Sequence, residues 1–114
     1  MSDFKVIQTN ILPDIKEIRL YPETIDHINE QHPEVPVHLP LMVDAIENTI
    51  VNPTHIESSH SNAYVFVDTG STNGSGDPLR VPVKIVGDYS ARVRTAYFAS
   101  SNSTANVIWT RGDE

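Results

Sequence analysis

The sequence predicts an α+β fold in which N-terminal helices pack on one face of an antiparallel sheet of about four strands. Before Asn52, apolar residues recur at helical spacing, whereas after Ala63 they alternate or are β-branched, as in strands. Short connections between the later strands favour antiparallel hairpins. The 114 residues suit one hydrophobic core. We therefore expect a single domain, 1–114, with a helical half at about 15–52 and a sheet half at about 54–111.

Two helices are predicted in the first half. The first begins at Pro22, because the missing N–H of proline costs nothing at a first helical position. Ile25 and Ile28 fall on one side of this helix, and Pro33 ends it near residue 32. The second helix runs from about 39 or 40 to 50, and its apolar stripe consists of Leu39, Val43, Ile46 and Ile50.

The main predicted strands are residues 63–67, 79–86 and 91–99, which are alternating or β-branched. Residues 54–58 and 107–111 are candidate outer strands, and residues 4–8 and 15–20 are short candidate strands near the N-terminus. The stretch DTGSTNGSGDP, at 68–78, lacks the Gly-Lys-Ser/Thr ending of a phosphate-binding loop and joins two strands. A hairpin loop is the simpler interpretation.

The charge of the chain is unevenly distributed. The net charge is −7, which argues against a general nucleic-acid-binding surface. From residue 1 to 68 there are eleven acids and three bases, whereas residues 69–112 hold two acids and five bases. Four of these bases lie within a short stretch of sequence in which Asp88 is the only acidic residue: Arg80, Lys84, Arg92 and Arg94. They form either a local cationic surface or an ordinary solvated sheet face.

Composition also bears on compartment and on metal chemistry. No apolar run approaches the roughly 18 residues that a membrane span needs, and the N-terminus lacks the basic-then-apolar order of a secretory signal. We therefore expect a cytoplasmic protein without membrane contact. The chain has no cysteine, which excludes disulfides and thiolate zinc sites. No His or carboxylate spacing recurs as a metal motif, and no cofactor is predicted.

Two histidines lie near the predicted first helix, in the stretch YPETIDHINEQHPEV. Five helical residues turn a side chain by about 140°, so His27 and His32 are expected to point in different directions. His32 shares the face of Ile25 and Ile28, which favours a core-facing histidine at the helix C-terminus. His27 lies on the polar side. It is either a surface residue or, at a helix edge facing a cationic sheet, a candidate acid or base.

Three short motifs occur in an order that is informative about family. They are His-Ile-x-x-x-His-Pro at 27–33, Asn-Pro-x-x-Ile at 52–56 and Thr-Ala-Tyr at 95–97. In this order, over about residues 15–101, the chain resembles the phage-type barnase, EndoU, colicin and RelE-like nuclease family. The resemblance implies a metal-independent ribonuclease, often a toxin or phage protein, with helices before a four-stranded antiparallel sheet. One departure is the strand after the second helix, commonly basic in such nucleases, where HSNAYVFVD holds only His60.

The resemblance also implies the site residues and the chemistry. It marks His27, His32 and Thr95, with Lys84 or Arg94 as the strand base, and RNA as the partner. Of these, we expect His27, Lys84, Arg94 and Thr95 to be catalytic. Further candidate binding residues are His32, Arg92, Tyr97 and His60. RNA supplies its own nucleophile, the 2′-hydroxyl, so the protein must move protons and stabilise the added phosphate charge. The alternative is a non-catalytic accessory or inhibitor domain of the same fold, whose acidic helices bind a basic protein.

Overall fold

The computed structural model describes residues 4–59, 62–100 and 107–111, which form one mixed β-sheet and three short helices. The elements in chain order are β1 (Lys5–Gln8), β2 (Glu17–Leu20), α1 (Pro22–Gln31), α2 (Glu34–His38), α3 (Met42–Val51), β3 (His55–Ser58), β4 (Ala63–Thr72), β5 (Pro78–Gly87), β6 (Ser90–Val93), β7 (Tyr97–Phe98) and β8 (Val107–Thr110).

The sheet is built around the long hairpin of β4 and β5. Its strand order is β1-β2-β6-β5-β4-β3-β8, and β7 pairs with the first part of β5. The described strand pairs are antiparallel except β2 with β6, whose parallel register sets Ile18 beside Ala91. The parallel pair brings the N-terminal strands to the side of the sheet that carries β6.

The turn between β4 and β5 is shorter than the predicted loop at 68–78. β4 reaches Thr72 and β5 begins at Pro78, with a register shift in β4 before the turn. Asn73 closes the turn, because its Oδ1 accepts a hydrogen bond from the backbone N–H of Asp77 at 2.9 Å. Gly76 has a φ of 84°, a conformation that favours glycine. The Asn- and Gly-rich composition therefore correctly predicted a turn, but the turn spans only residues 73–77 and not 68–78.

The core lies between α3 and one face of the sheet. Cross-strand register places Ile56, Phe66 and Val81 side by side on that face, and all three are fully buried. Ile46 and Ile50 of α3 are fully buried in the same cluster. Each such side chain contributes about 1.5 to 3 kcal/mol when it leaves water. Apolar burial therefore holds α3 against the β4–β5 hairpin.

The first helix ends where proline interrupts it. Pro22 occupies the predicted first position, and Thr24 and Ile28 are the buried residues of α1. His32 caps the helix with φ −136° and ψ 61°, outside the helical region. The ring of Pro33 disfavours helical geometry for the residue before it. The chain then turns into the separate short helix α2, where the sequence predicted a connection.

The predicted antiparallel sheet of about four strands with N-terminal helices on one face is wrong. The domain is α+β and compact, but its single sheet has eight strands and is mixed. Residues 5–8 and 17–20 join the same sheet as the later strands, through pairing of Ile18 with Ala91. Pairing between residues so far apart leaves no local sequence signal. The predicted strand at 91–99 is also divided, into β6 and β7.

The longest helices of the described chain, α1 and α3, have ten residues each. No helix in the described residues is long and apolar enough to cross a membrane.

Candidate functional site

The main cleft lies between α1 and the strands β4 and β5, next to the end of β6. It has a volume of about 550 Å³. We call it the main cleft, and its lining residues are His27, Ser59, Ala63, Tyr64, Val65, Pro82, Lys84, Arg94 and Thr95. The described lining contains two permanent cations and one histidine but no carboxylate, a composition that suits an anionic ligand.

A buried hydrogen bond places His27 at the cleft. The Thr24 hydroxyl donates to the backbone carbonyl of Val93 at 3.3 Å, and Thr24 is 4% exposed. This bond ties α1 to the end of β6, directly before Arg94. His27 follows Thr24 by three residues and so lies one helical turn away on a neighbouring position. Its side chain is exposed on the cleft side of the helix.

An irregularity of the strand pairing follows β6, where Arg94 and Thr95 line the cleft. The paired positions show it. Between Val83 opposite Val93 and Arg80 opposite Tyr97, β5 takes three residue steps (83 to 80) and the facing chain takes four (93 to 97). The extra residue acts as a β-bulge, which redirects side chains.

Pro82 lies opposite this bulge, in the interior of β5. Proline has no N–H to donate to the neighbouring strand, so a regular ladder cannot continue on that side. Its carbonyl still accepts a hydrogen bond from the backbone N–H of Arg94, at 2.8 Å. The backbone at Arg94 is therefore anchored while its side chain reaches the cleft.

The Thr95 hydroxyl is a buried polar group without a hydrogen-bond partner in the described part of the chain. Its Oγ1 is shielded from solvent and has no hydrogen-bond partner among the described residues. Most buried polar atoms are hydrogen-bonded, so such an atom in a cleft lining is unusual.

Three cations follow one another across β5, β6 and the bulge: Lys84, Arg92 and Arg94, which we call the cationic strip. Lys84 and Arg92 are cross-strand partners. All three line a second cleft of about 470 Å³, together with Val86. In the described part of the chain, none has a carboxylate oxygen within 4.0 Å. The strip is therefore locally positive on an acidic protein.

His27 and His32 lie closer together than the predicted helix implied. Their ring centroids are 6.0 Å apart in an edge-on arrangement, and the His32 ring lies 5.6 Å from that of Tyr97. The expectation of divergent directions assumed helical geometry through residue 32. Because α1 ends at Gln31, the 140° rotation does not apply to His32. Its ring is half-buried beside Tyr97.

Tyr64 is a cleft residue that the sequence did not indicate. Its hydroxyl donates to Asp14 Oδ2 at 2.6 Å. The hydrogen bond to Asp14, burial and the negative charge of that carboxylate raise the pKa of Tyr64 to about 12. The phenol therefore stays protonated at neutral pH and ties β4 to the segment that holds Asp14. Fifty residues separate the two partners, so no local pattern could have predicted the contact.

A buried charged cluster lies outside the main cleft. The Arg80 guanidinium donates to Glu57 Oε1, and His55 Nε2 lies 2.9 Å from Glu57 Oε2. Burial alone raises the pKa of Glu57. The hydrogen bonds from His55 and Arg80, together with their charges, outweigh burial and hold the pKa of this carboxyl below its ordinary value of 4.5. The second guanidinium nitrogen of Arg80, Nη1, is buried without a partner among the described residues.

The structure thus places the predicted residues as follows. The four predicted catalytic residues line one cleft: His27, Lys84, Arg94 and Thr95. Of the predicted binding residues, His32 and Tyr97 lie beside His27 through ring contacts, and Arg92 lines the second cleft. His60 lies outside the described residues. Their roles in catalysis and binding stay predictions.

Among the residues 4–59, 62–100 and 107–111, no group of three or more His, Asp or Glu side chains is arranged to hold a metal ion. Comparison of the chain with protein-family models, with curated proteins and with solved structures found no match. The geometry and charge of the two clefts are therefore the basis for a functional proposal.

Proposed function

We propose that the chain is a metal-independent endoribonuclease whose active site is the main cleft. One observation carries this proposal: His27, Lys84, Arg94 and Thr95 meet in a cleft whose described lining has no carboxylate. These residues come from α1, β5 and the bulge after β6, so that distant parts of the sequence supply one site. They include a histidine, two basic side chains of the kind that bind phosphate, and a hydroxyl.

The reaction needs two proton movements and charge stabilisation. The RNA 2′-oxygen bonds to phosphorus as its proton leaves, and the bond to the 5′-oxygen breaks as that oxygen gains a proton. The products are a 2′,3′-cyclic phosphate and a 5′-hydroxyl. His27 takes up or supplies one of these protons. Lys84 and Arg94 bind the phosphate oxygens, on which negative charge accumulates in the transition state.

Thr95 has a supporting role in this scheme. A buried hydroxyl without a partner costs about 1 to 3 kcal/mol of stability. A hydrogen bond from Oγ1 to a phosphate oxygen would offset that cost only when substrate is bound. The hydroxyl would then orient the phosphate between Lys84 and Arg94.

The test is cleavage of a mixed RNA pool by purified protein in the presence of EDTA, with matched single-stranded DNA as a second substrate. We expect RNA cleavage with 2′,3′-cyclic phosphate ends and no DNA cleavage, because DNA lacks the nucleophile. His27→Ala should reduce the rate by about 10² to 10⁴-fold, as expected for loss of a general acid or base. Lys84→Ala and Arg94→Ala should each cause a loss of about 10² to 10³-fold.

Two control variants match these changes in chemistry but lie outside the proposed site. His38→Ala removes an exposed histidine that packs edge-on against Phe98, with ring centroids 5.8 Å apart. Lys16→Ala removes an exposed lysine that lines neither cleft. Both should cleave RNA at the wild-type rate. Equal activity of His27→Ala and His38→Ala would exclude His27 as the proton carrier, and a pool left intact would exclude the enzyme.

One observation favours the alternative of a protein-binding domain. Val37 and Leu41 are 73% and 72% exposed, and Leu41 lines an apolar groove beside Asp44. Exposed apolar groups next to acidic ones suit a basic protein partner. If the RNA pool is neither cut nor bound, binding of a basic protein should then depend on Leu41, with Leu41→Ser as the test variant.

A further inference from the structure

Four side chains beside the cationic strip alternate aromatic rings with guanidinium groups. Arg19 Cζ lies 5.5 Å from the ring centroid of Phe4, the Phe4 and Tyr21 centroids are 4.9 Å apart, and Arg92 Cζ lies 5.5 Å from that of Tyr21. We call this group, Phe4, Arg19, Tyr21 and Arg92, the aromatic–arginine patch. Each cation is thus held against a ring by a cation–π contact.

The two arginines of the patch differ in their charge balance. Arg19 Nε lies 2.8 Å from Glu17 Oε2. The Tyr21 side chain and Glu17 both hydrogen-bond to Arg19 and raise its pKa above the ordinary value. Arg92, by contrast, is exposed and has no carboxylate oxygen within 4.0 Å in the described chain. The patch therefore presents one uncompensated positive charge.

Strand register connects the patch to the main cleft. Arg19 is the parallel partner of Arg92, and Arg92 is the antiparallel partner of Lys84. The second cleft joins Arg92 to Lys84 and Arg94, both of which also line the main cleft. A polyanion that enters the main cleft can thus follow an unbroken cationic path to the aromatic rings.

We propose that the aromatic–arginine patch is a nucleobase-binding subsite that holds single-stranded RNA beside the cleavage site. This inference rests on the proposed ribonuclease function. Phe4 is 40% exposed, and Arg92 is held by the Tyr21 ring while its own surface faces solvent. Unpaired bases stack on aromatic rings and on guanidinium planes, whereas bases within a duplex are unavailable for such stacking. The substrate class is therefore single-stranded RNA longer than the cleaved dinucleotide.

Binding is measured separately from cleavage with a fluorescent 2′-O-methyl oligonucleotide of eight nucleotides. This probe has no free 2′-hydroxyl and so cannot be cut by internal attack. Fluorescence anisotropy gives the affinity of the wild-type protein for the intact probe and for a series in which one nucleotide at a time is abasic. We expect one abasic position to weaken binding by about tenfold, the usual effect of one lost base stack.

Two variants keep apolar bulk but remove the aromatic face: Tyr21→Leu and Phe4→Leu. We expect each to bind the intact probe more weakly than wild type and to lose the penalty at the sensitive abasic position. Tyr89→Leu is the matched control, because Tyr89 is 57% exposed and has no ring contact or cation–π contact among the described residues. It should bind like wild type. If Tyr21→Leu does not fold, Phe4→Leu carries the test.

Three results would overturn the subsite. These are equal affinity for intact and abasic probes, an abasic penalty that persists in both variants, and absence of probe binding. Equal affinity would mean that the cationic strip alone holds the strand.

The subsite and the ribonuclease can fail independently. If RNA is cut and His27→Ala reduces the rate, but every abasic probe binds as tightly as the intact one, the subsite proposal is wrong and the ribonuclease proposal is supported. If the probe binds with a base-dependent penalty but RNA is left intact, the subsite is correct and catalysis fails.

Discussion

Replacing Glu57 by glutamine should destabilise the fold at neutral pH and much less at acid pH. Arg80 is 8% exposed, and Nη1 of its guanidinium already lacks a partner among the described residues. Removing the carboxylate leaves a buried charge uncompensated, which typically costs about 3 to 5 kcal/mol. The glutamine carbonyl can still accept one hydrogen bond, so we expect the lower end, about 3 kcal/mol. The total free energy of unfolding of natural domains is roughly 5 to 15 kcal/mol, so this loss would be a large part of it.

The pH dependence of this loss follows from the lowered pKa of Glu57. A carboxyl whose pKa is lower in the folded state stabilises the fold above its unfolded pKa, and the contribution disappears as pH falls through the folded value. The difference between wild type and Glu57→Gln should therefore be largest above the ordinary value of 4.5 and shrink below it. Urea unfolding at pH 7 and at several acid pH values measures both quantities.

The control for this prediction is Glu47→Gln, which breaks an exposed ion pair. Lys5 Nζ lies 3.2 Å from Glu47 Oε1, and both side chains are about 40% exposed. Such surface pairs contribute about 0 to 1 kcal/mol. Equal losses for the two variants, or a Glu57→Gln loss that does not shrink in acid, would refute the reasoning from burial.

Two further predictions concern the supports of the cleft. Thr24→Val removes the donor to the Val93 carbonyl and should lower the free energy of unfolding, measured with urea, by about 1 to 3 kcal/mol. RNA cleavage should also slow although His27 is intact, because α1 is held less firmly beside β6. An unchanged cleavage rate would show that catalysis does not depend on this bond. Tyr64→Phe should remove the last-titrating phenol from an ultraviolet absorbance titration. The folded pKa of about 12 exceeds the ordinary 10.0. The contribution of the Tyr64 hydrogen bond to the free energy of unfolding is therefore complete below about pH 10 and disappears as pH rises to about 12. Loss of a phenol that titrates near the ordinary 10.0 would contradict the bond to Asp14.

The predictable part of the structure is the part set by local periodicity. Helical spacing of Ile46 and Ile50 predicted the core-facing side of α3, and the strand pattern of residues 79–86 predicted the strand that the structure has as β5. The same reasoning assigned His27 to the polar side of α1. The spacing of apolar residues predicts which face of an element a side chain occupies, because helices and strands each have a nearly constant number of residues per repeat.

The unpredicted part depends on long-range pairing and on interruptions of the repeat. Ile18 beside Ala91 joins strands that are far apart in the chain, so the mixed eight-stranded sheet has no signature in any one segment. The bulge after β6, at Arg94 and Thr95, breaks the strand repeat that the sequence pattern extended through residues 91–99. The rotation of about 140° predicted between His27 and His32 likewise extended a helical repeat past its end, because α1 ends at Gln31.

The parallel joining of β2 to β6 also bears on self-association. A strand at the border of a sheet presents unpaired N–H and C=O groups, and a long, flat border is a template for aggregation. Along the described strand order, β4 and β5 have ten residues each and are flanked by strands on both sides. The outermost strands, β1 and β8, have only four residues each. β6 and β3 flank the valine-rich central hairpin, and β2 and β1 in turn cover the outer side of β6, so the borders of the described sheet are four-residue strands that offer another molecule little to extend.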